Sequence, residues 1–180
     1  MAAIVDDLQR KSRMSWSGHM IFVTVGTHDA GFDRLVTAVD QLATTWDEKI
    51  IIQRGSSTYE PMYATHFKWA TSEEMEQLTA DARVLITHAA AGAVILGLQK
   101  QTPLIVVPRI KKYGEHIDDH QLQLAKAVSE QDRAVAVFDP TASSLRHALS
   151  TINNYQIGLQ NNLQLVNAVQ QQLTDWETAV

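Results

Sequence analysis

Three short stretches of this chain carry residue types that could do chemistry. The first is Gly26-Thr27-His28. Glycine lets a ligand approach the backbone, and free amides ahead of a helix can receive a phosphate. A simple turn accounts for the same residues equally well. The second is Thr87-His88-Ala89-Ala90-Ala91-Gly92-Ala93. Small side chains leave a helix start open, so its amides can cradle a diphosphate, and His88 can donate to a phosphate oxygen. The stretch has one glycine, so it lacks the Gly-x-Gly-x-x-Gly pattern, and a nicotinamide cofactor is not indicated. A tight strand-to-helix turn with a satisfied histidine is the competing explanation. The third stretch is Glu115-His116-Ile117-Asp118-Asp119-His120-Gln121. Its Asp, His and Gln side chains offer donors and acceptors to a polyhydroxylated ligand. Its carboxylates and histidines also raise a metal site, but no matching ligand set lies earlier in the chain, so no metal is expected. A solvated helix start would look the same.

Arg109, Lys111 and Lys112 lie between the second and third stretches. They could balance the charge of a diphosphate, or they could be ordinary loop charges. There is no Gly-x-Ser-x-Gly elbow and no phosphate-binding Walker loop. Spacing alone does not choose a catalytic base among the histidines.

These stretches must be held by a scaffold, and the hydrophobic pattern describes one. Ile21 to Val25 is a β-branched and aromatic run ended by Gly26, which predicts a buried strand. Phe32, Leu35, Val36, Val39, Leu42 and Trp46 recur at helical spacing. Ile50 to Ile52 predicts a second strand, and His66 to Trp69 a short third one. Thr71-Ser72-Glu73-Glu74 is a helix N-terminus by composition. Val84 to Thr87 predicts a strand, Gly92 to Lys100 a helix, and Pro103 to Pro108 a strand with prolines at its ends. After a polar loop, a helix over about 119–130 and a last strand over 134–138 complete the alternation. Strands separated by helices imply a mainly parallel sheet. In such a sheet ligands bind beyond the carboxyl ends of the strands, where all three stretches fall.

Beyond Pro140 the pattern is helical. Leu159, Leu163, Val166, Leu173 and Trp176 form an apolar stripe opposite Gln and Asn, and such a stripe must be buried, on its own sheet or on a partner. Residues 1–19 read as an extension before the fold, with mixed charge and no secretory signal.

Composition narrows the function classes. The 180 residues suffice for one domain, and 45% apolar with 19% charged is ordinary for a soluble globular protein. A net charge of −5 gives no general reason to bind nucleic acid. The absence of cysteine excludes disulfides and thiolate metal sites and fits the cytosol. No apolar run reaches the length of a spanning helix.

Taken together, four ordered blocks resemble the family of the C-terminal half of MurG-type transferases (glycosyltransferase family 28). The likeness is nearer to stand-alone relatives such as the PssE-like subunits of exopolysaccharide assembly. The blocks are Phe22 to His28 with Phe32-Asp33-Arg34-Leu35, Thr87 to Gly92, Pro103 to Arg109, and Glu115-His116 with Asp119 to Leu122. The resemblance spans about Met20 to Ala148. It implies a single Rossmann-like GT-B half-domain of α/β class over residues 20–180, with a C-terminal amphipathic helix within a helical tail, 141–180. It implies a hexosyltransferase subunit that uses a UDP-sugar as donor substrate and needs no further cofactor. A membrane-anchored partner would bind the acceptor, a lipid-linked sugar, and would hold this chain at the cytoplasmic face of the membrane. By position, Gly26 and Thr27 would line the diphosphate, and His88, Ala91 and Gly92 would face the phosphates. Arg109 would lie nearby, and His120 and Gln121 would face the sugar. The base would come from the partner, or from His28 or Glu115.

The chain departs from that pattern. The resemblance implies Ser at Ala93 and Glu at Leu96, the latter as partner of the ribose hydroxyls. Leu96 cannot accept a hydrogen bond, and a lost polar contact costs about 0.5–1.5 kcal/mol or more for charged groups. A non-catalytic subunit that stabilises a membrane-bound transferase is therefore a second expectation. Self-association through the C-terminal helix is a third.

Overall fold

A computed structural model describes residues 20–152. The expected N-terminal extension and the tail beyond Ile152 lie outside the described residues.

Six strands form one sheet: β1 (Met20–Thr24), β2 (Lys49–Gln53), β3 (Thr65–Phe67), β4 (Val84–Thr87), β5 (Leu104–Val106) and β6 (Val135–Ala136). Their order is β3-β2-β1-β4-β5-β6, and every pair is parallel. The chain therefore reverses its direction of travel across the sheet between β1 and β4. That is where a parallel sheet opens a crevice beyond its carboxyl ends.

Five helices cover the two faces: α1 (Asp33–Ala43), α2 (Ser72–Asp81), α3 (Ala91–Lys100), α4 (His120–Glu130) and α5 (Ala142–Ile152). Alternation along β1 divides the core. Ile21 and Val23 face a cluster with Leu35, Val39 and Leu42 of α1 and Leu145 and Leu149 of α5. Met20 and Phe22 face the other, with Val94 and Leu98 of α3 and Leu124 and Val128 of α4. Both faces of β1 are buried, hence its uninterrupted apolar run.

Within the described residues the predicted strands and helices form, with shifted ends. α1 stops at Ala43, so Trp46 lies beyond it and packs against the core from the following turn. The last strand shrinks to two residues. α2 begins with a complete capping box, Thr71 Oγ1 accepting from the Glu74 amide and Glu74 accepting from the Thr71 amide. In α3, Gly97 is required by close approach: a Cβ there would lie 2.3 Å from Leu104 Cδ2 on β5. This glycine sets how near α3 packs to the sheet, and so where its N-terminus comes to rest.

The link from β2 to β3 contains no helix. The Asp40 carboxylate of α1 organises it. This buried group accepts from the amides of Met62, Tyr63 and Ala64 and from the Tyr59 hydroxyl, all at 2.9 Å. Burial pushes its pKa up, but the donors outweigh burial and hold it below the ordinary value.

Candidate functional site

The turn after β1 and the turn after β4 meet at the crevice between the two strands. Gly26 has φ +76, a conformation that favours glycine. Gln53, at the end of β2, holds this turn from the side. Its Oε1 accepts from Thr24 Oγ1 at 2.7 Å and from the Gly26 amide at 3.1 Å, while its Nε2 donates to the carbonyls of Gly26 and Lys68, each at 3.0 Å. The imidazole of His88 lies against Gly26 from the β4 side. Burial, and next the charge of Arg109, push the His88 pKa down to about 3, so the ring is neutral at ordinary pH. It shapes the crevice wall as an uncharged group.

The chain leaves β4 through Ala89, a fully buried residue with φ 58. A left-handed alanine costs roughly 1–2 kcal/mol. The kink turns the chain into α3, where Ala90 at the N-cap has no side chain that could satisfy the first amides. Gly92, in that first turn, is exposed, and a Cβ there would meet nothing within 4 Å. No acidic residue stands in the turn. Uncapped amides, the positive end of the helix dipole and open space are an arrangement able to receive a phosphate group.

Two arginines close the far side of the site, and neither is placed as a solvent-facing cation. Arg109, expected near the diphosphate, is 1% exposed. Its Nη1 donates to the carbonyls of Ala30, Gly31 and Glu115, its Nη2 donates to Val25 at 2.8 Å, and the guanidinium stacks on Phe32. Burial lowers its pKa to about 10, with Glu115 opposing the shift, so it remains charged. Through these bonds Arg109 staples the loop after β1 to the loop after β5. Lys111 and Lys112 are exposed, on a 3-10 turn (Lys111–Tyr113).

Glu115, an expected base, is likewise committed. Arg34 Nε and Nη2 donate to its two oxygens at 2.8 and 2.9 Å, and the Ile110 amide adds a third bond. Arg34 also donates to the carbonyls of Phe138 and Pro108. With three of its roughly four lone-pair sites taken, this buried carboxylate is placed as a loop anchor and is poorly suited to proton abstraction. His28, the other expected base, accepts from the Ala30 amide at Nδ1 (3.1 Å). Its neutral ring must then carry its proton on Nε2, so it presents a donor where a base needs a lone pair.

The third stretch reaches the same crevice. The rings of His28 and His116 are 5.0 Å apart. Gln121 Oε1 accepts from the Arg109 amide at 3.1 Å, and no described residue accepts from its Nε2, whose two donors suit hydroxyls. His120 opens α4. Thr27 is exposed at the crevice rim and Ala91 is half-buried in the first turn of α3. The strand ends thus bring Gly26, Thr27, His28, His88, Ala91 and Gly92 to one crevice with the 115–121 segment. Among the described residues, no group of three or more His, Asp or Glu side chains is placed to hold a metal ion.

Gln53, Arg34, His116 and Asp118 were not singled out as individual site residues by the sequence. Gln53 ends an apolar strand and gave no signal. Arg34 stood within a recognisable block, but its bond to Glu115 spans 81 residues.

Comparison with known proteins bears on the family and the fold. A family model, glycosyltransferase family 28 C-terminal domain, matches residues 20–171. The chain is 31% identical over 122 residues to human UDP-N-acetylglucosamine transferase subunit ALG13, an alignment covering 62% of this chain and 10% of that protein. Among solved structures it resembles the glycotransferase of kitacinnamycin (TM-score 0.63, 18% identity, 85% of this chain and 39% of that one). It also resembles the calicheamicin glycosyltransferase CalG4 (TM-score 0.63, 16% identity, 85% and 38%). A third is UDP-glucose: anthocyanidin 3-O-glucosyltransferase in complex with UDP (TM-score 0.62, 16% identity, 93% and 38%). At these identities the solved structures speak to the fold, and this chain spans about two fifths of each.

Proposed function

The chain belongs to the glycosyltransferase family 28 C-terminal domain family, with one α/β half of a GT-B architecture, and from that premise we propose that it is the UDP-sugar-binding subunit of a two-part glycosyltransferase. One observation carries the reading. At the β1/β4 crevice an uncapped helix start with open space at Gly92 faces a glycine turn walled by a neutral histidine. That arrangement suits a diphosphate held by backbone amides. As the bond from sugar to phosphate breaks, negative charge grows on the departing UDP, and amides already oriented at the α3 start stabilise it without reorganising. Gln121 Nε2 and His120 are the groups nearest in kind to sugar hydroxyls.

The acceptor side belongs to a partner. The human relative is by name a transferase subunit, and residues 20–171 match one half of a two-half fold. No helix among the described residues is long and apolar enough to cross a membrane. A membrane-anchored partner would bring in a lipid-linked sugar acceptor, as in exopolysaccharide assembly, and keep this chain peripheral at the cytoplasmic face. Titrating UDP-sugars into the full chain, alone and with that partner, tests the reading; no binding in either case would sink it.

A second reading, a non-catalytic stabilising subunit, draws on Leu96. This half-buried aliphatic residue stands on α3 one turn past Gly92 and Ala93, and offers no acceptor to a ribose. Substituting His88 and Gln121 separates the two: loss of transfer with the complex intact rejects the stabiliser.

A further inference from the structure

The two bases expected from the sequence are both occupied, and a better placed one stands beside them. Asp118 lies between two histidines. Its Oδ1 is 3.0 Å from His116 Nδ1, and its Oδ2 is 3.2 Å from His120 Nδ1. The His120 amide also donates to Oδ1 at 3.0 Å. Burial pushes the Asp118 pKa up, but the His120 amide and the two imidazoles hold it below the ordinary value, so the group stays a carboxylate. An ionised oxygen can only accept, which places the His116 proton on Nδ1 and leaves the lone pair on Nε2. The Asp118 amide is 3.4 Å from the same Nδ1. That neutral contact is longer, and a charge-assisted bond is about twice as strong, so the carboxylate decides the tautomer.

We propose that His116, oriented by Asp118, is the group that takes the proton from the attacking acceptor hydroxyl. The assignment rests on the transferase reading above. In the step, the hydroxyl proton moves to His116 Nε2 and the acceptor oxygen bonds to the sugar's anomeric carbon. The bond from that carbon to the phosphate oxygen breaks, and UDP leaves with the electron pair at the α3 amides. The carboxylate behind the ring stabilises the imidazolium that forms.

Position favours His116 over His120. Its side chain is 18% exposed against 42%, its bond to Asp118 is shorter, and its ring contacts His28 across the crevice. His120, the first residue of α4, is turned further toward solvent. Nor is His116 well suited as a phosphate ligand, because Asp118 beside it would repel the anion. The charged and titratable groups around it are His28 from the β1 turn, His88 from the β4 turn, and Arg109, Glu115, Asp118 and His120 from the segment after β5. Arg109 and Glu115 are bonded elsewhere, and His88 is neutral.

Two measurements on the full chain and its complex test this. Long-range imidazole nitrogen–proton NMR should find neutral His116 as the Nδ1–H tautomer, with Asp118→Asn shifting it toward a mixture; an Nε2–H tautomer in the wild type overturns the proposal. In the complex, His116→Gln should lower kcat about 100-fold or more while UDP affinity stays within about threefold. Asp118→Asn should lower kcat less and move the acid limb of the pH profile. Retained kcat, or UDP affinity falling in step with kcat, overturns it. A wild-type complex that binds UDP while His116→Gln turns over normally rejects this base alone. A wild-type complex that binds no UDP rejects the transferase reading and the base with it.

Discussion

The imidazole of His88 lies so close over Gly26 that a Cβ on the glycine would sit 2.5 Å from its Nε2. Two residues just past the ends of neighbouring parallel strands thus share one surface at the mouth of the sheet. Gly26→Ala meets both a left-handed backbone and a buried ring. It should destabilise the fold by roughly 2–5 kcal/mol, about 1–2 for the backbone and 1–3 for overpacking. The double variant Gly26→Ala/His88→Ala should recover the steric part. Urea unfolding of the four proteins in the cycle gives the coupling; strict additivity would mean that the two residues do not touch.

Arg109 holds the rim of the same site. Lysine keeps the charge but not the fork, and cannot reach four carbonyls on two loops. Arg109→Lys should cost about 3 kcal/mol, as for a buried network broken at one member. Amide hydrogen exchange should then rise in both residues 25–32 and residues 107–116. An effect on UDP affinity with stability unchanged would instead make Arg109 a direct ligand of the diphosphate.

Asp40 gives the stability an acid limb. Its folded pKa lies below the ordinary aspartate value of 3.8. The stabilisation is therefore complete above that value and is lost as pH falls through the lower, folded one. Asp40→Asn keeps the shape but loses the charge-assisted bonds to Met62, Tyr63, Ala64 and Tyr59. It should lose about 2–3 kcal/mol at neutral pH and flatten the fall in melting temperature between pH 5 and pH 2. An unchanged acid limb in Asp40→Asn would show that other carboxylates carry it.

How far the sequence could be read follows from the range of each interaction. The strands were legible because both faces are buried, so that runs such as Phe22-Val23 and Leu85-Ile86 are apolar without interruption. The α3 start was legible because the small residues from Ala89 to Ala93 are contiguous. The role of Arg109 was not, since the carbonyls it binds at Ala30, Gly31 and Val25 lie 79, 78 and 84 residues away. A loop arginine reads the same whether it points outward or inward. Glu115 was hidden in the same way by Arg34. The His116–Asp118 pair is local, two residues apart, but spacing does not reveal which ring nitrogen the carboxylate faces.

A diphosphate seated at the start of α3 can be tested directly at Gly92. A side chain there meets open space, and an acid in the first turn of a helix is favourable, so Gly92→Asp should fold with an unchanged or slightly raised Tm. Its carboxylate would occupy and repel the phosphate seat. Calorimetric titration of UDP into the full chain and into Gly92→Asp is the measurement. The wild type should bind UDP, and the variant should lose at least roughly tenfold in affinity, about 1.4 kcal/mol, at equal stability. Equal UDP affinity in the two proteins would contradict it.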